Sequence, residues 1–314
     1  MKIYRDLNEI DDDARRCVLA VGKFDGLHIG HRKIIANLVS RARALRRPAA
    51  LFTFDPTPAQ VIRPENAPLA LCDQQEKIAL IERCGVDALL VYPTDKTFLR
   101  QTAKEFFRET LVKRLNVVAL VEGQNFVFGS DRIGNGAPLR ELCRDANVDL
   151  EIVPPVELDS RPVSSSAIRL ALANGNVGSA NAQLGRLYRL KGVVAHGDAR
   201  GRTLGFPTAN LSEVETVVPK PALYAAFARL PDGVRKPAAV NIGGNPTFGV
   251  DDVKIEAHIL DFDGDLYGRP AALDLVDKIR DIRTFDSKDE LIRQMNRDVE
   301  ETRRLCERAA LPRD

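Results

Sequence analysis

The sequence predicts an α/β unit built on a parallel sheet, followed by an antiparallel β-barrel with a C-terminal helix. Three observations predict it. Through the first half, short apolar runs alternate with helix-length amphipathic segments, the rhythm of βαβ units. Beyond Gly185 the strand candidates follow one another, broken by Gly, Pro, Asn and Asp with no long helix between them, as in a small barrel. The chain then closes on one long amphipathic stretch. A length of 314 residues suits two domains, here expected at 1–185 and 186–314.

Taken in order, Cys17–Val21 reads as a strand, and Ile29–Leu45 as a helix with Ile34, Ile35, Leu38, Val39, Ala42 and Leu45 at helical spacing. Strands are expected at Ala49–Phe54, Ala88–Tyr92, Val117–Glu122 and Leu150–Val153, with helices at Gln74–Cys84, Ala103–Leu115 and Pro138–Ala146. The barrel strands are expected at Arg189–Ala195, Ala222–Arg229, Lys236–Ile242, Lys254–Leu260 and Arg269–Val276. Ser287 and Glu290 have the spacing of a capping box and open a helix to Leu305. Its Ile292, Met295, Val299 and Arg303 are expected to face the barrel.

Composition narrows the function classes. Forty-six basic against forty-four acidic residues give a net charge of +2, unlike a protein that coats nucleic acid or an anionic membrane. No apolar run approaches a membrane span, and the N-terminus lacks the apolar core of a signal peptide. Five scattered cysteines, with no C-x-x-C pair, suggest reduced thiols in a cytoplasmic protein rather than disulfides or zinc. Nothing in the sequence sets the oligomeric state.

The densest chemistry follows the first strand. In Gly22-Lys23-Phe24-Asp25-Gly26-Leu27-His28-Ile29-Gly30-His31, the glycines let a ligand approach the backbone at a helix start that favours negative charge. His28 and His31, three residues apart, can face one spot and bind phosphate oxygens, the H-x-G-H pattern of nucleotidyl transfer. Glu122–Gly129 leaves a later strand and offers the Asn125 amide to the same pocket. Arg161–Arg169 places Ser164 and Ser165 at a helix start between two arginines, a phosphate clamp if it is more than a cap.

A second cluster lies in the barrel. His196–Leu211 is a Gly- and Arg-rich loop whose backbone can cradle phosphates, followed by the hard oxygens of Thr208 and Asn210, which suit Mg²⁺. On the strand Lys254–Leu260, Glu256 alternates with Ile255 and Ala257 and can take a proton from an alcohol. Asp261–Gly268 reads as an acidic turn without EF-hand spacing.

In this order, Gly22–His31, Ser164–Arg169, His196–Leu211, Asn241–Gly249 and His258–Gly268 resemble the bacterial bifunctional riboflavin kinase/FAD synthetase family over nearly the whole chain. The resemblance implies a Rossmann-like nucleotidyltransferase domain followed by a flavokinase barrel. It implies phosphorylation of riboflavin to FMN by ATP, then adenylylation of FMN to FAD by a second ATP, both with Mg²⁺. By that resemblance His28 and His31 act on the ATP phosphates. Gly22, Phe24, Gly30, Asn125, Arg161, Ser164, Ser165, Arg169, Gly197, Gly201 and Thr203 bind nucleotide or phosphate. Asn125, Phe128 and Asp261 contact flavin, Thr208 and Asn210 position Mg²⁺–ATP, and Glu256 is the kinase base. Lys23, Thr57, Val127 and Ala222 stand where the family usually has Asn, His, Arg and Gly. The alternatives are a flavokinase with a non-catalytic α/β half and a flavin-sensing regulatory protein.

Overall fold

The computed structural model describes residues 1–12, 14–130, 136–196, 205–244 and 253–309. They form two compact units, one of Met1–Pro68 with Gln74–Val163, the other of Leu69–Asp73 with Ser164–Asp314.

The first unit holds a parallel sheet of β1 (Lys2–Tyr4), β2 (Val18–Val21), β3 (Ala49–Phe54), β4 (Ala88–Tyr92), β5 (Ala119–Gly123) and β6 (Asp149–Val153). The strand order is β1-β4-β3-β2-β5-β6. The chain therefore builds outward from β2 first on one side and then on the other, and the reversal lies between β2 and β5. In open α/β sheets ligands bind at that point, beyond the carboxyl ends of the strands. All four residues of β2 are buried, as a central parallel strand requires. Val18, Ala20, Leu51 and Val121 face α1 (Ile29–Leu45). Leu19, Val21, Phe52 and Leu120 face the opposite way, toward Phe106, Phe107, Leu111, Leu139 and Cys143. This side is covered by Ala103–Glu105, its π-helical continuation Phe106–Arg114, and a helix at Gly136–Asp145.

The second unit is a closed barrel of β7 (Tyr188–Ala195), β8 (Ala209–Ser212), β9 (Ala222–Arg229), β10 (Arg235–Gly244), β11 (Val253–Ile259) and β12 (Pro270–Arg280). Every pairing is antiparallel, and β8 with β7 completes the closure. Alternate residues fill the interior, among them Leu190, Leu211, Tyr224, Val240, Ile255 and Leu273. At Gly192 an added Cβ would lie 2.2 Å from the Ser212 carbonyl oxygen, so only glycine fits this seam.

The elements α2 (Ser165–Ala173) and α3 (Val177–Leu184) fall before residue 185, yet Ile168, Leu172, Val177, Ala180 and Leu184 belong to the barrel's core. Ala70 bridges to Thr216, and the Asp73 carboxylate accepts from Lys191 Nζ at 2.7 Å, which ties Leu69–Asp73 to the same unit. The last helix, α4 (Lys288–Arg308), is capped by Ser287, whose hydroxyl accepts from Glu290 N–H at 3.2 Å. Its buried stripe is Asp298, Thr302 and Cys306, and Arg303 is exposed, contrary to the expected face. Asp298 is buried because Arg280 of β12 and Gln294 donate to its carboxylate, a pairing that apolar spacing does not reveal.

Candidate active sites

In the α/β unit the loop from β2 to α1 carries the strain a ligand cradle needs. Phe24, Gly26 and Leu27 all have positive φ, at 46°, 73° and 38°. The Phe24 ring and Leu27 are buried and anchor this turn, which brings His28 to the N-cap of α1. His28 Nδ1 accepts the His31 N–H at 3.3 Å, so its proton resides on Nε2. The two imidazoles stack with centroids 3.6 Å apart, and the Phe24 ring meets His31 edge-on. A Cβ on Gly30 would stand 3.1 Å from His28 Nδ1, and one on Gly22 would crowd the Phe24 ring. Burial, then His28 and Lys23, push the His31 pKa well below its usual value. His31 is therefore neutral near pH 7 and offers an N–H; fixed positive charge comes from Lys23 and the helix terminus. The structure thus brings Gly22, Phe24, His28, Gly30 and His31 together.

The other expected residues of this site are placed as follows. Asn125 is exposed in the turn after β5, and Phe128 stacks on Phe126 with centroids 5.2 Å apart. Arg161 is exposed in a short two-stranded ladder. Ser164 caps α2, accepting from Ala167 N–H at 3.1 Å; Ser165 is its first residue. Arg169 Nε donates to the Leu69 carbonyl at 2.9 Å within the second unit. Thr57 opens a short helix, where Gln60 Oε1 accepts from both its N–H and its hydroxyl at 2.8 Å.

In the barrel, Glu256 lies directly opposite Asn210 of β8 on one side and Asn241 of β10 on the other. Paired residues in antiparallel strands share a face, so three polar side chains line up across three strands. With Ile255, Ala257 and Ile259 buried inside, this row lies on the outer face. Glu256 makes no hydrogen bond or ion pair within the described residues, leaving its carboxylate available to an incoming hydroxyl. A separate cavity of about 400 Å³ is lined by Thr208, Asp263, Asp265 and Tyr267 together with the apolar Val194, Ala257, Ile259 and Phe262. Thr208 lines this cavity, whereas Asn210 and Glu256 are not on its wall. His196 stacks on Tyr267, with centroids 3.9 Å apart. The Asp261 carboxylate is held by Arg303 at 2.8–2.9 Å, which keeps it below the usual carboxylate range. Gly197, Gly201 and Thr203 lie outside the described residues.

Residues 10–167 match the FAD synthetase family and residues 184–306 the riboflavin kinase family. The bifunctional riboflavin kinase/FMN adenylyltransferase of Haemophilus influenzae is 36% identical over 96% of this chain and 97% of its own. The Bacillus subtilis protein of the same name is 33% identical over 93% of each chain. This chain belongs to the bifunctional riboflavin kinase/FMN adenylyltransferase family. A crystal structure from Streptococcus pneumoniae, described as a macrolide-efflux protein, has the same fold: TM-score 0.88, 32% identity, 96% of this chain and 98% of that one. Among the described residues here, no helix is long and apolar enough to cross a membrane.

Two features of this chain are not legible in any local motif. One is the place of Asn241, the first residue of the Asn241–Gly249 segment, beside Glu256, which depends on the β10–β11 register. The other is an aromatic chain on one side of the sheet. Phe52 contacts Phe54, Tyr92, Phe98 and Phe106, and Phe106 reaches Phe128 at 5.6 Å. Five separate segments contribute these rings, so no local motif announces them.

Proposed function

We propose that this chain makes both flavin cofactors. The barrel transfers the γ-phosphoryl group of ATP to the terminal ribityl hydroxyl of riboflavin, giving FMN and ADP. The α/β unit transfers AMP from a second ATP to the FMN phosphate, giving FAD and pyrophosphate. The observation that carries this reading is the fall of the two family matches on the two structural units, each with its own cluster of polar side chains. We assign adenylylation to residues 1–185 and phosphorylation to 186–314, with α2 and α3 serving the barrel's core.

In the α/β unit the FMN phosphate is already ionised, so no base is needed for attack on the α-phosphorus. The protein's task is to hold two anions in line and meet the charge that moves onto pyrophosphate. The His28 and His31 N–H groups, Lys23 and the α1 terminus perform it. Arg161 is assigned to phosphate binding here, and Asn125 and Phe128 to flavin; Ser164, Ser165 and Arg169, which belong to the second unit, keep the phosphate-binding role that the resemblance implies.

In the barrel the Glu256 carboxylate accepts the ribityl proton as oxygen bonds to the γ-phosphorus and ADP leaves. Asn210 and Asn241 flank that carboxylate, each directly across a strand from Glu256. Magnesium enters as the partner of ATP. Among the described residues no group of three His, Cys, Asp or Glu side chains could hold a metal, which suits an ion carried mainly by phosphates and water. The Thr208 hydroxyl on the cavity wall and the Asn210 amide oxygen in the outer row would be the hard donors to such an ion, which would supply neutralisation of phosphate charge. Gly197, Gly201 and Thr203 are assigned to the nucleotide, and Asp261, through Arg303, to ordering the flavin-side turn. The free thiols suit a cytoplasmic location.

The test is incubation of the full chain with riboflavin and Mg²⁺–ATP, with flavins separated by chromatography. FMN should appear first and FAD after it. FMN alone would leave only the kinase, and bound but unconverted riboflavin would leave only a sensor.

A further inference from the structure

The sheet parts at its switch point, and a side chain fills the gap. β2 pairs with β5 only at Val18↔Ala119 and Leu19↔Leu120. Beyond that, β2 stays bonded to β3 through Val21↔Phe52, and Gly22 N–H donates to the Phe52 carbonyl at 3.0 Å. β5 stays bonded to β6 through Gly123↔Val153. The two central strands therefore separate two residues before the Gly22–His31 loop begins, leaving Ala20 and Val21 of β2 unpaired with β5. The parting takes the main-chain acceptor of β5 away from Val21 N–H. Glu122 Oε1 replaces it at 2.8 Å, from a residue only 2% exposed.

A carboxyl is an expensive filler for such a place, where a valine would complete the apolar run of β5. Burial pushes its pKa well above the usual carboxylate range, beside Cys143 on the helix that covers that side of the sheet. Its side chain keeps an acceptor at a fixed reach from β5, farther out than any main-chain carbonyl of that strand. Val21 is the last residue of β2, and Gly22, Lys23 and the strained turn at Phe24 follow directly. Thr53 Oγ1 donates to the Lys23 carbonyl at 3.3 Å from the β3 side. The loop root is thus held by a side chain on each flank, Thr53 from β3 and Glu122 from β5.

We propose that Glu122 is a positioning residue for adenylyl transfer: its buried carboxyl sets the width of the β2–β5 opening and the angle at which the histidine loop leaves the sheet. This rests on the assignment of His28 and His31 to the ATP phosphates. A misplacement of about 1 Å at such a site costs up to ~10²-fold in rate.

The test uses the full chain carrying Glu122→Gln, Glu122→Asp or Glu122→Leu. Each is assayed for FAD formation from FMN, for FMN formation from riboflavin, and for ATP-binding stoichiometry by calorimetry. Gln keeps an acceptor oxygen at the same reach and should retain near-wild-type kcat. Asp withdraws the acceptor by one methylene, and Leu removes it. Both should lower kcat for FAD formation, by about 10- to 100-fold for Leu, while ATP binding stays stoichiometric and FMN formation is unchanged. Partial unfolding would instead reduce the stoichiometry. If Leu prevents folding, the Gln–Asp comparison decides. Wild-type kcat in Asp and Leu, or a loss in Gln as large as in Asp, overturns the proposal. His31→Ala in the same assay separates the two claims: if it leaves FAD formation intact, the site assignment itself has failed.

Discussion

At the scale of single residues, the two sites solve different problems with different groups. Under the proposed assignment Glu256 takes a proton from an alcohol; it lies across from Asn210 and Asn241, and among the described residues it makes no hydrogen bond or ion pair. Glu256→Gln should slow FMN formation by ~10²–10⁴-fold with riboflavin and ATP binding largely kept, read by single-turnover and binding measurements. Near-wild-type turnover would remove it as the base. His31 and Glu122 carry opposite pH signatures. His31 binds protons less readily when folded than an imidazole at 6.5, so acidification through that value protonates the unfolded chain first and drains stability from the α/β unit. The folded Glu122 carboxyl keeps its proton where the unfolded one ionises near 4.5, so its contribution is full below that pH and is lost as pH rises. His31→Gln should therefore flatten the acid limb of a urea-unfolding series, and Glu122→Gln should raise stability on the neutral side. Parallel curves for variants and wild type would contradict both shifts. Lys23 adds a charge that Asn at this position would lack; Lys23→Asn should raise KM for ATP in FAD formation alone, and an unchanged or lower KM would contradict that role.

At the scale of elements, periodicity made most of the fold legible. The helix Ile29–Leu45 and the strands Ala49–Phe54, Ala88–Tyr92 and Ala222–Arg229 lie where their apolar spacing puts them. β8 has little pattern to detect because Ala209–Ser212 is short and half-polar, with only Leu211 buried. The first strand, Lys2–Tyr4, is an edge strand with one buried residue and little pattern to detect. The site was legible where function is local, as in the stacked histidines within one loop. Less legible is what depends on pairing register, as the place of Asn241 beside Glu256 does, or on distant segments, as the aromatic chain and the Glu122–Val21 contact do. The barrel seam gives a direct check on the element scale. Gly192→Ala forces a methyl onto the Ser212 carbonyl and should cost about 1–3 kcal/mol. Chemical denaturation should show that loss in the barrel, with FAD formation from supplied FMN retained. Unchanged stability would mean the seam can open without cost.

At the scale of the whole molecule, the chain joins two independent cores, and their boundary is not where the strand pattern changes. The apolar faces of α2 and α3 belong to the barrel. A chain beginning at Tyr188 would lack Ile168, Leu172, Val177, Ala180 and Leu184, which a chain beginning at Ser164 retains. The proposed division gives one polypeptide two separable chemistries in sequence. Its most direct measurement is the flavin product ratio of the full chain carrying either His31→Ala or Glu256→Gln, supplied in turn with riboflavin and with FMN. His31→Ala should accumulate FMN from riboflavin and make little FAD from either substrate. Glu256→Gln should make little FMN from riboflavin yet convert supplied FMN to FAD at the wild-type rate. Loss of both reactions in either folded variant would contradict it.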